Sequence, residues 1–222
     1  MKLNVEWLKE VLPKIPSSTK LCDKLTSIGL EVSNFKKSKL GSIIDIDITP
    51  NRPDCLSISG IARDLSTAYR QNTLTLKTAN TKIQKSNNII KSVDKKISPI
   101  YTCLQINGIN NKIKTPILIK NRLKSCGITS INLIVDILNY VMIELGQPFH
   151  AFDSDTLNGK LTVRFSKKNE KIIALNDKKY TLKQDTPVIS DNTTIQAIAG
   201  IIGSIDSSVN TASKNIIIEC AH

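Results

Sequence analysis

Residues 134–153 read IVDILNYVMIELGQPFHAFD, and the fold turns on how this stretch divides. From Ile134 to Leu145 the apolar positions Ile134, Val135, Ile137, Leu138, Val141, Met142, Ile143 and Leu145 recur mostly at spacings of three and four. That period predicts an amphipathic helix with one well-buried face. Gly146 is placed to close it as the residue after the cap, and Pro148 just beyond cannot continue it. Pro148 also biases Gln147 towards an extended backbone. His150, one of two histidines in the chain, then falls on a fixed loop, with Asn139 eleven residues before it. Two readings of His150 stand: a loop histidine bonded to backbone, or a titratable group at a reaction centre.

Working outward, 222 residues at 40% hydrophobic composition are enough to bury a substantial core in one or two domains. No run reaches the roughly eighteen apolar residues of a membrane helix. The opening MKLNVEWLKEVLPKI carries charges inside an amphipathic pattern and lacks the apolar core and cleavage site of a signal peptide. A cytoplasmic protein with no membrane partner is expected. Cys22, Cys55, Cys103, Cys126 and Cys220 are odd in number and contain no CxxC pair, which fits neither a disulfide framework nor a metal site. Reduced, mostly buried thiols are the expectation. The net charge of +12 permits RNA binding, but the lysine pairs are dispersed, and a solvated basic surface fits equally.

The remaining elements follow from periodicity and punctuation. Val5, Leu8, Val11 and Leu12 predict a first helix over 4–12, and Ser17-Ser18-Thr19 open a second that runs to about Ile28. Leu30-Glu31-Val32 begins a strand, residues 36–42 form a short basic turn, and 43–48 alternate as a half-buried strand. The irregular loop TPNRPD precedes a helix from Leu56 to about Arg70. In that loop Arg52 and Asp54 mark either RNA contact or a buttress for the loop. Residues 73–98 lose all period and read as a linker, with a strand suggested at Leu74-Thr75-Leu76. A second unit begins near Pro99, with a strand over 101–109, a helix over 116–126, and short strands at 161–165, 172–175, 179–182 and 188–190. Residues 197–204, AIAGIIGS, read as a glycine-bearing apolar loop, and 216–220 as a last strand carrying Glu219. Asp136 reads as a helix-surface or salt-bridge residue. The fold class is α+β: an N-terminal domain over 1–72, a linker over 73–98, and a mixed unit over 99–222 that looks incomplete at its C-terminus.

Several strings in this order carry a resemblance: WLKE at 7–10, IGLEV at 28–32, TPNRPDCLSISGIARDL at 49–65, VDILNYVMIELGQPFHAFD at 135–153 and IIIECA at 216–221. Together they resemble the N-terminal part of bacterial phenylalanine–tRNA ligase β subunits, across nearly the whole chain outside the linker. In that family a tRNA-binding OB-type domain normally interrupts the first domain. Residues 36–42 are too short to hold it, which implies the abbreviated form. The unit from Pro99 on resembles the first half of the family's editing domain, which hydrolyses tyrosine wrongly attached to the phenylalanine tRNA.

The resemblance implies site roles residue by residue. Glu219 falls on the carboxylate that recognises the phenol, and Gly200 or Gly203 on the backbone N–H of the same pocket. His150 and Asn139 fall on residues that position the attacking water and the ester, and Gln147 and Pro148 on the wall. Glu219 also reads as a strand-end carboxylate paired with a lysine, and the glycines as serving only a tight turn. No metal is implied within this chain. The assembled class II ligase is implied to use ATP and Mg2+ outside these residues, in a heterotetramer of two α and two β subunits that binds tRNA(Phe); editing needs no cofactor. Two departures stand out: Thr129 where the family usually has arginine, and Ala199-Gly200 with Gly203-Ser204 where it usually has two glycine pairs. They leave open an editing-inactive scaffold, or a module that binds only RNA or the other subunit.

Overall fold

A computed structural model gives the chain at residues 1–73, 84 and 88–222. The described residues form two compact units, each discontinuous in sequence. One takes the residues up to 73 together with Thr115–Pro148; the other takes those from 84 to Lys114 together with Phe149–His222. The strand suggested at Leu74–Leu76 lies outside the described residues.

In the first unit β1 (Lys2–Asn4) runs directly into α1 (Val5–Val11), because the Asn4 side chain accepts the Trp7 N–H at 3.0 Å and caps the first turn. There follow α2 (Ser18–Ser27), β2 (Glu31–Ser38), β3 (Gly41–Asp47), a 3-10 turn at Pro53–Cys55, α3 (Ile58–Ala68), α4 (Ile117–Ser125) and α5 (Leu133–Leu145). The strands form an antiparallel sheet in the order β1-β3-β2. Leu3, Trp7, Leu8, Leu21, Leu25, Ile44, Ile46, Ile58 and Ile61 fill the core beneath it. Residues 36–42, expected to be a basic turn, instead continue β2 through Ser38 and begin β3 at Gly41. The pairing of Lys36 with Ile43 shows why: exposed lysines are tolerated on an outer strand that sends Val32 and Phe35 against the core.

The expected boundary near residue 99 is corrected: α4 and α5 pack with the N-terminal core. Trp7 stacks on Tyr140 at 4.5 Å between centroids, the Arg122 guanidinium lies 5.0 Å over the Trp7 ring and pairs with Glu10, and Asn4 reaches Ser125 at 3.0 Å. The helix α5 also departs from expectation. Its only fully buried residue is Asp136, while Ile137 and Leu145 are 38% and 49% exposed. Tyr140 and Ile143 face the core, and the other apolar side chains are half-buried or more exposed. Asp136 is not a surface group: its carboxylate accepts Thr115 Oγ1 at 2.5 Å, Ser130 Oγ at 2.6 Å and the Ile131 N–H at 2.8 Å.

The TPNRPDC loop is a buttress. Arg52 bridges Asp54 through two 3.0 Å bonds and reaches Asp64 on α3 at 2.6 Å, and it holds the Asp54 carboxyl well below the usual carboxylate range. Ser57 caps α3 by accepting the Gly60 N–H. Gly146 ends α5 in the left-handed region at φ 84°, and a Cβ there would come within 3.1 Å of Ser57, so the close of α5 seats on the start of α3. All five cysteines are free, but only Cys55 is fully buried; the others are half-buried.

The second unit is built from β4 (Ile90–Val93), β5 (Tyr101–Ile106), β6 (His150–Asp153), β7 (Leu161–Phe165), β8 (Lys171–Ile173), β9 (Lys179–Thr181), β10 (Pro187–Ser190), β11 (Ile195–Ile198), β12 (Ile202–Gly203) and β13 (Ile216–Ala221). A five-stranded sheet has the order β12-β11-β10-β7-β4, a three-stranded sheet the order β5-β13-β6, and β8-β9 form a ribbon. Phe152, Leu161, Val163, Ile189, Ala197 and Ile217 pack between the two larger sheets. The class is α+β, with every described helix in the first unit. Three expectations change. β4 arises inside the expected linker, held by parallel pairing with β7. Residues 197–204 fold as a hairpin of β11 and β12 turning at 199–201. His150 opens a strand rather than sitting in a loop, because β13 pairs with it.

Candidate substrate pocket

Alternation along β13 sends Ile217, Glu219 and Ala221 to one face. Directly paired residues of antiparallel strands share a face, so Cys103 and His150, opposite Glu219 on either side, join it, as do Tyr101 opposite Ala221 and Phe152 opposite Ile217. This is the face that packs on the five-stranded sheet, and it carries the Glu219 carboxyl, the His150 imidazole and the Tyr101 hydroxyl into a layer of apolar side chains. Glu219 is 7% exposed. Its side chain lines a cavity of about 360 Å³ with Tyr101, Val163, Phe165, Ile189 and Gly200, and with the polar Lys96, Ser98 and His222. No donor among the described residues bonds the carboxyl, and burial alone pushes it up to about 7. The expected alternative, a strand-end carboxylate paired with lysine, is not what the fold builds.

Gly200 sits at φ 71° in the turn between β11 and β12 and opens onto this cavity. The N–H groups on either side, of Ala199 and Ile201, are taken by Pro187 and Ile198 carbonyls, while no described backbone carbonyl takes that of Gly200. Gly203 does something else. A Cβ at that position would lie 2.7 Å from His150 Nε2, so the missing side chain is what lets the imidazole lie against β12. The ring also meets Phe152 edge-on at 4.6 Å. Nε2 is buried with no partner among the described residues, and burial lowers the imidazole to about 4, which leaves it neutral near pH 7. A neutral ring of this kind accepts a proton or orients a water but does not serve as an acid. His150 is not among the residues lining the Glu219 cavity.

Asn139, Gln147 and Pro148 belong to the first unit. Asn139 is half-buried on α5, the Gln147 side chain donates to the Pro148 carbonyl at 3.1 Å, and Thr129 is exposed in the connection from α4 to α5. Thus the fold brings Glu219 and Gly200 to one cavity and sets His150 against Gly203, while the other three lie in a different unit. Sequence reasoning missed Tyr101 and Cys103. The signal available was the alternation of Tyr101, Cys103 and Gln105 along a strand, but its register against Glu219 is a long-range fact. Among the described residues the one group of three metal-capable side chains is Asp54, Cys55 and Asp64, and the Arg52 guanidinium already bonds all three.

Residues 97–222 match the sequence pattern of the B3/4 domain. Phenylalanine–tRNA ligase β subunits are similar over most of the chain. That of Francisella tularensis is 40% identical over 182 residues, covering 81% of this chain and 23% of that protein. That of Photorhabdus laumondii is 41% identical over 198 residues, covering 87% and 24%, and that of Aquifex aeolicus 41% over 180 residues, covering 81% and 23%. The chain therefore spans about a quarter of the length of these relatives. In fold it is similar to an N-terminal fragment of the Pyrococcus horikoshii phenylalanyl-tRNA synthetase β subunit, with a TM-score of 0.53 at 18% identity, covering 100% of this chain and 67% of that one.

Proposed function

The chain belongs to the B3/4-domain family, and from that premise we propose that it works in the β subunit of a phenylalanine–tRNA ligase, where its second unit clears tyrosine wrongly esterified to tRNA(Phe). The observation that carries this reading is the buried Glu219 carboxyl, bonded by no described donor, in a cavity walled by Val163, Phe165 and Ile189 and also reached by Lys96, Ser98 and His222. A site built for phenylalanine rejects an added hydroxyl only on the order of a hundredfold, so a second site that selects for the hydroxyl has work to do. Glu219 accepts the phenol proton. A phenylalanine side chain would leave the carboxylate desolvated and unpaired, at a cost of about 1–3 kcal/mol. The Gly200 N–H supports the phenol oxygen.

His150, neutral at working pH, holds or deprotonates the attacking water. Gly203 fixes the position of that ring. The rest of the proposal follows from the ligase reading: a class II enzyme of two α and two β subunits in the cytoplasm, with ATP and Mg2+ used for aminoacylation outside these residues. A net charge of +12 suits tRNA as the partner.

The test is deacylation of Tyr-tRNA(Phe) by the assembled enzyme. Wild type is expected to hydrolyse it well above background, His150→Ala to lose about a hundredfold or more, and Glu219→Ala to lose preference for Tyr over Phe. Background hydrolysis by the wild type would refute the editing reading. A second reading, a scaffold whose hydrolytic site has decayed, draws on Thr129 and on the sealed His150 Nε2. It predicts background hydrolysis in all three proteins with aminoacylation intact.

A further inference from the structure

We propose that the hydroxyl of Tyr101 is a second selector in the Glu219 cavity, donating a hydrogen bond to the oxygen of a substrate phenol whose proton Glu219 accepts. The inference rests on the editing reading and adds to it a residue that reads the substrate directly.

Tyr101 is 8% exposed, and its hydroxyl is buried with no hydrogen-bond partner among the described residues. Buried tyrosine hydroxyls usually find a partner, and an orphan in a native structure calls for a reason. Its surroundings narrow the reason. Tyr101 opens β5 opposite Ala221, on the face that carries Glu219, and both side chains line the same cavity. The Cys103 thiol, on the same face, stands within hydrogen-bonding influence of the phenol, but the contact does not reach hydrogen-bond geometry. Burial pushes that thiol up to about 12, so it offers no anion to pair with. Burial and the adjacent carboxylate both hold the Tyr101 hydroxyl protonated, hence able to donate.

The two unpaired groups are complementary to one ligand chemistry. A phenol presents one donor and two lone pairs. An ionised carboxylate only accepts, so Glu219 can take the proton but cannot serve the oxygen. Tyr101 supplies a second donor beside the Gly200 N–H, one for each lone pair of the phenol oxygen. With a phenylalanine side chain in the cavity both groups stay orphaned, and the penalty falls on the substrate that should be spared.

The experiment uses the assembled enzyme at pH 8, where Glu219 is mostly ionised, with the aminoacylation site filled by a non-hydrolysable phenylalanyl-adenylate analogue, and titrates L-tyrosine amide and L-phenylalanine amide into wild type and Tyr101→Phe. The Kd ratio is expected to favour tyrosine amide in wild type and to drop about five- to tenfold in the variant. Phenylalanine amide should bind the variant unchanged or more tightly. The ratio of kcat/KM for Tyr-tRNA(Phe) over Phe-tRNA(Phe) should fall by the same factor. The unfolding midpoint should stay or rise, because the substitution removes an unsatisfied buried hydroxyl. An unchanged ratio in the variant, with wild-type preference intact, overturns the role of Tyr101 and leaves the editing reading standing. A lowered midpoint with both ligands weakened equally would mark a packing tyrosine and overturn it too. A wild type that neither prefers tyrosine amide nor hydrolyses Tyr-tRNA(Phe) overturns both.

Discussion

Replacing Glu219 by glutamine should stabilise the second unit at pH 8 and do nothing at pH 4.5. The carboxyl titrates near 4.5 when free and is pushed to about 7 in the folded chain by burial. The folded state therefore holds the proton more tightly than the unfolded state does. Below about pH 4.5 both states are protonated and no penalty exists. Between 4.5 and 7 the unfolded chain ionises freely while the folded chain resists, so stability falls as pH rises, by about 3 kcal/mol in all. His150 runs the other way. Its folded value of about 4 lies below the ordinary 6.5, so its contribution grows as pH rises from 4 to 6.5 and is lost on acidification.

The two slopes oppose each other over most of the same window, and the wild type is expected to look flat there. Glutamine keeps the shape and hydrogen-bonding reach of the side chain but cannot ionise, so the His150 slope should emerge alone. At pH 8 the variant should be more stable by about 3 kcal/mol, on the order of 6–12 °C in midpoint for a chain of this size. Trp7 reports on the first unit, so the measurement is amide hydrogen exchange at β13 and neighbouring strands, at pH 4.5 and 8 with intrinsic rates removed. A difference between variant and wild type that does not change with pH would refute the argument, since it would mean the carboxyl ionises as freely folded as unfolded.

Two other substitutions test particular contacts. Gly203→Ala drives a Cβ to within 2.7 Å of His150 Nε2; it should cost about 1–3 kcal/mol and cut Tyr-tRNA(Phe) hydrolysis at least tenfold, both measurable in the assembled enzyme. Asp136→Ala leaves two hydroxyls and one N–H near the start of α5 without their acceptor; urea unfolding followed by Trp7 fluorescence should show a loss of about 3 kcal/mol or more.

How much of this was legible in the sequence depended on how local the cause was. The limits of α5 could be read because the period, Gly146 and Pro148 all lie within the segment. The burial of α5 could not, since apolar side chains do not say what covers them. Asp136 looked like a surface acid because its partners Thr115 and Ser130 precede the helix and their approach has no periodic signature. His150 read as a loop residue because HAFD is too short to announce a strand, and its pairing partner β13 lies more than sixty residues on. β4, with Lys91 and Ser92 inside it, is a strand only because β7 offers a parallel edge. Glu219 was reached through resemblance of motif, while Tyr101, which no motif singles out, needed the register of β5 on β13.

The interleaving of the two units bears on the order in which they can mature during synthesis. The N-terminal core holds Trp7 against Tyr140, Glu10 against Arg122 and Asn4 against Ser125, so its last contributors are made more than a hundred residues after its first. A nascent chain that has emerged only to residue 73 lacks α4 and α5, and its Trp7 surface stays open until about residue 148 has left the ribosome. β5 meanwhile waits for β13. Each unit is thus unfinished while the other is being made, and a premature stop anywhere between 73 and 148 exposes apolar surface to the quality-control machinery.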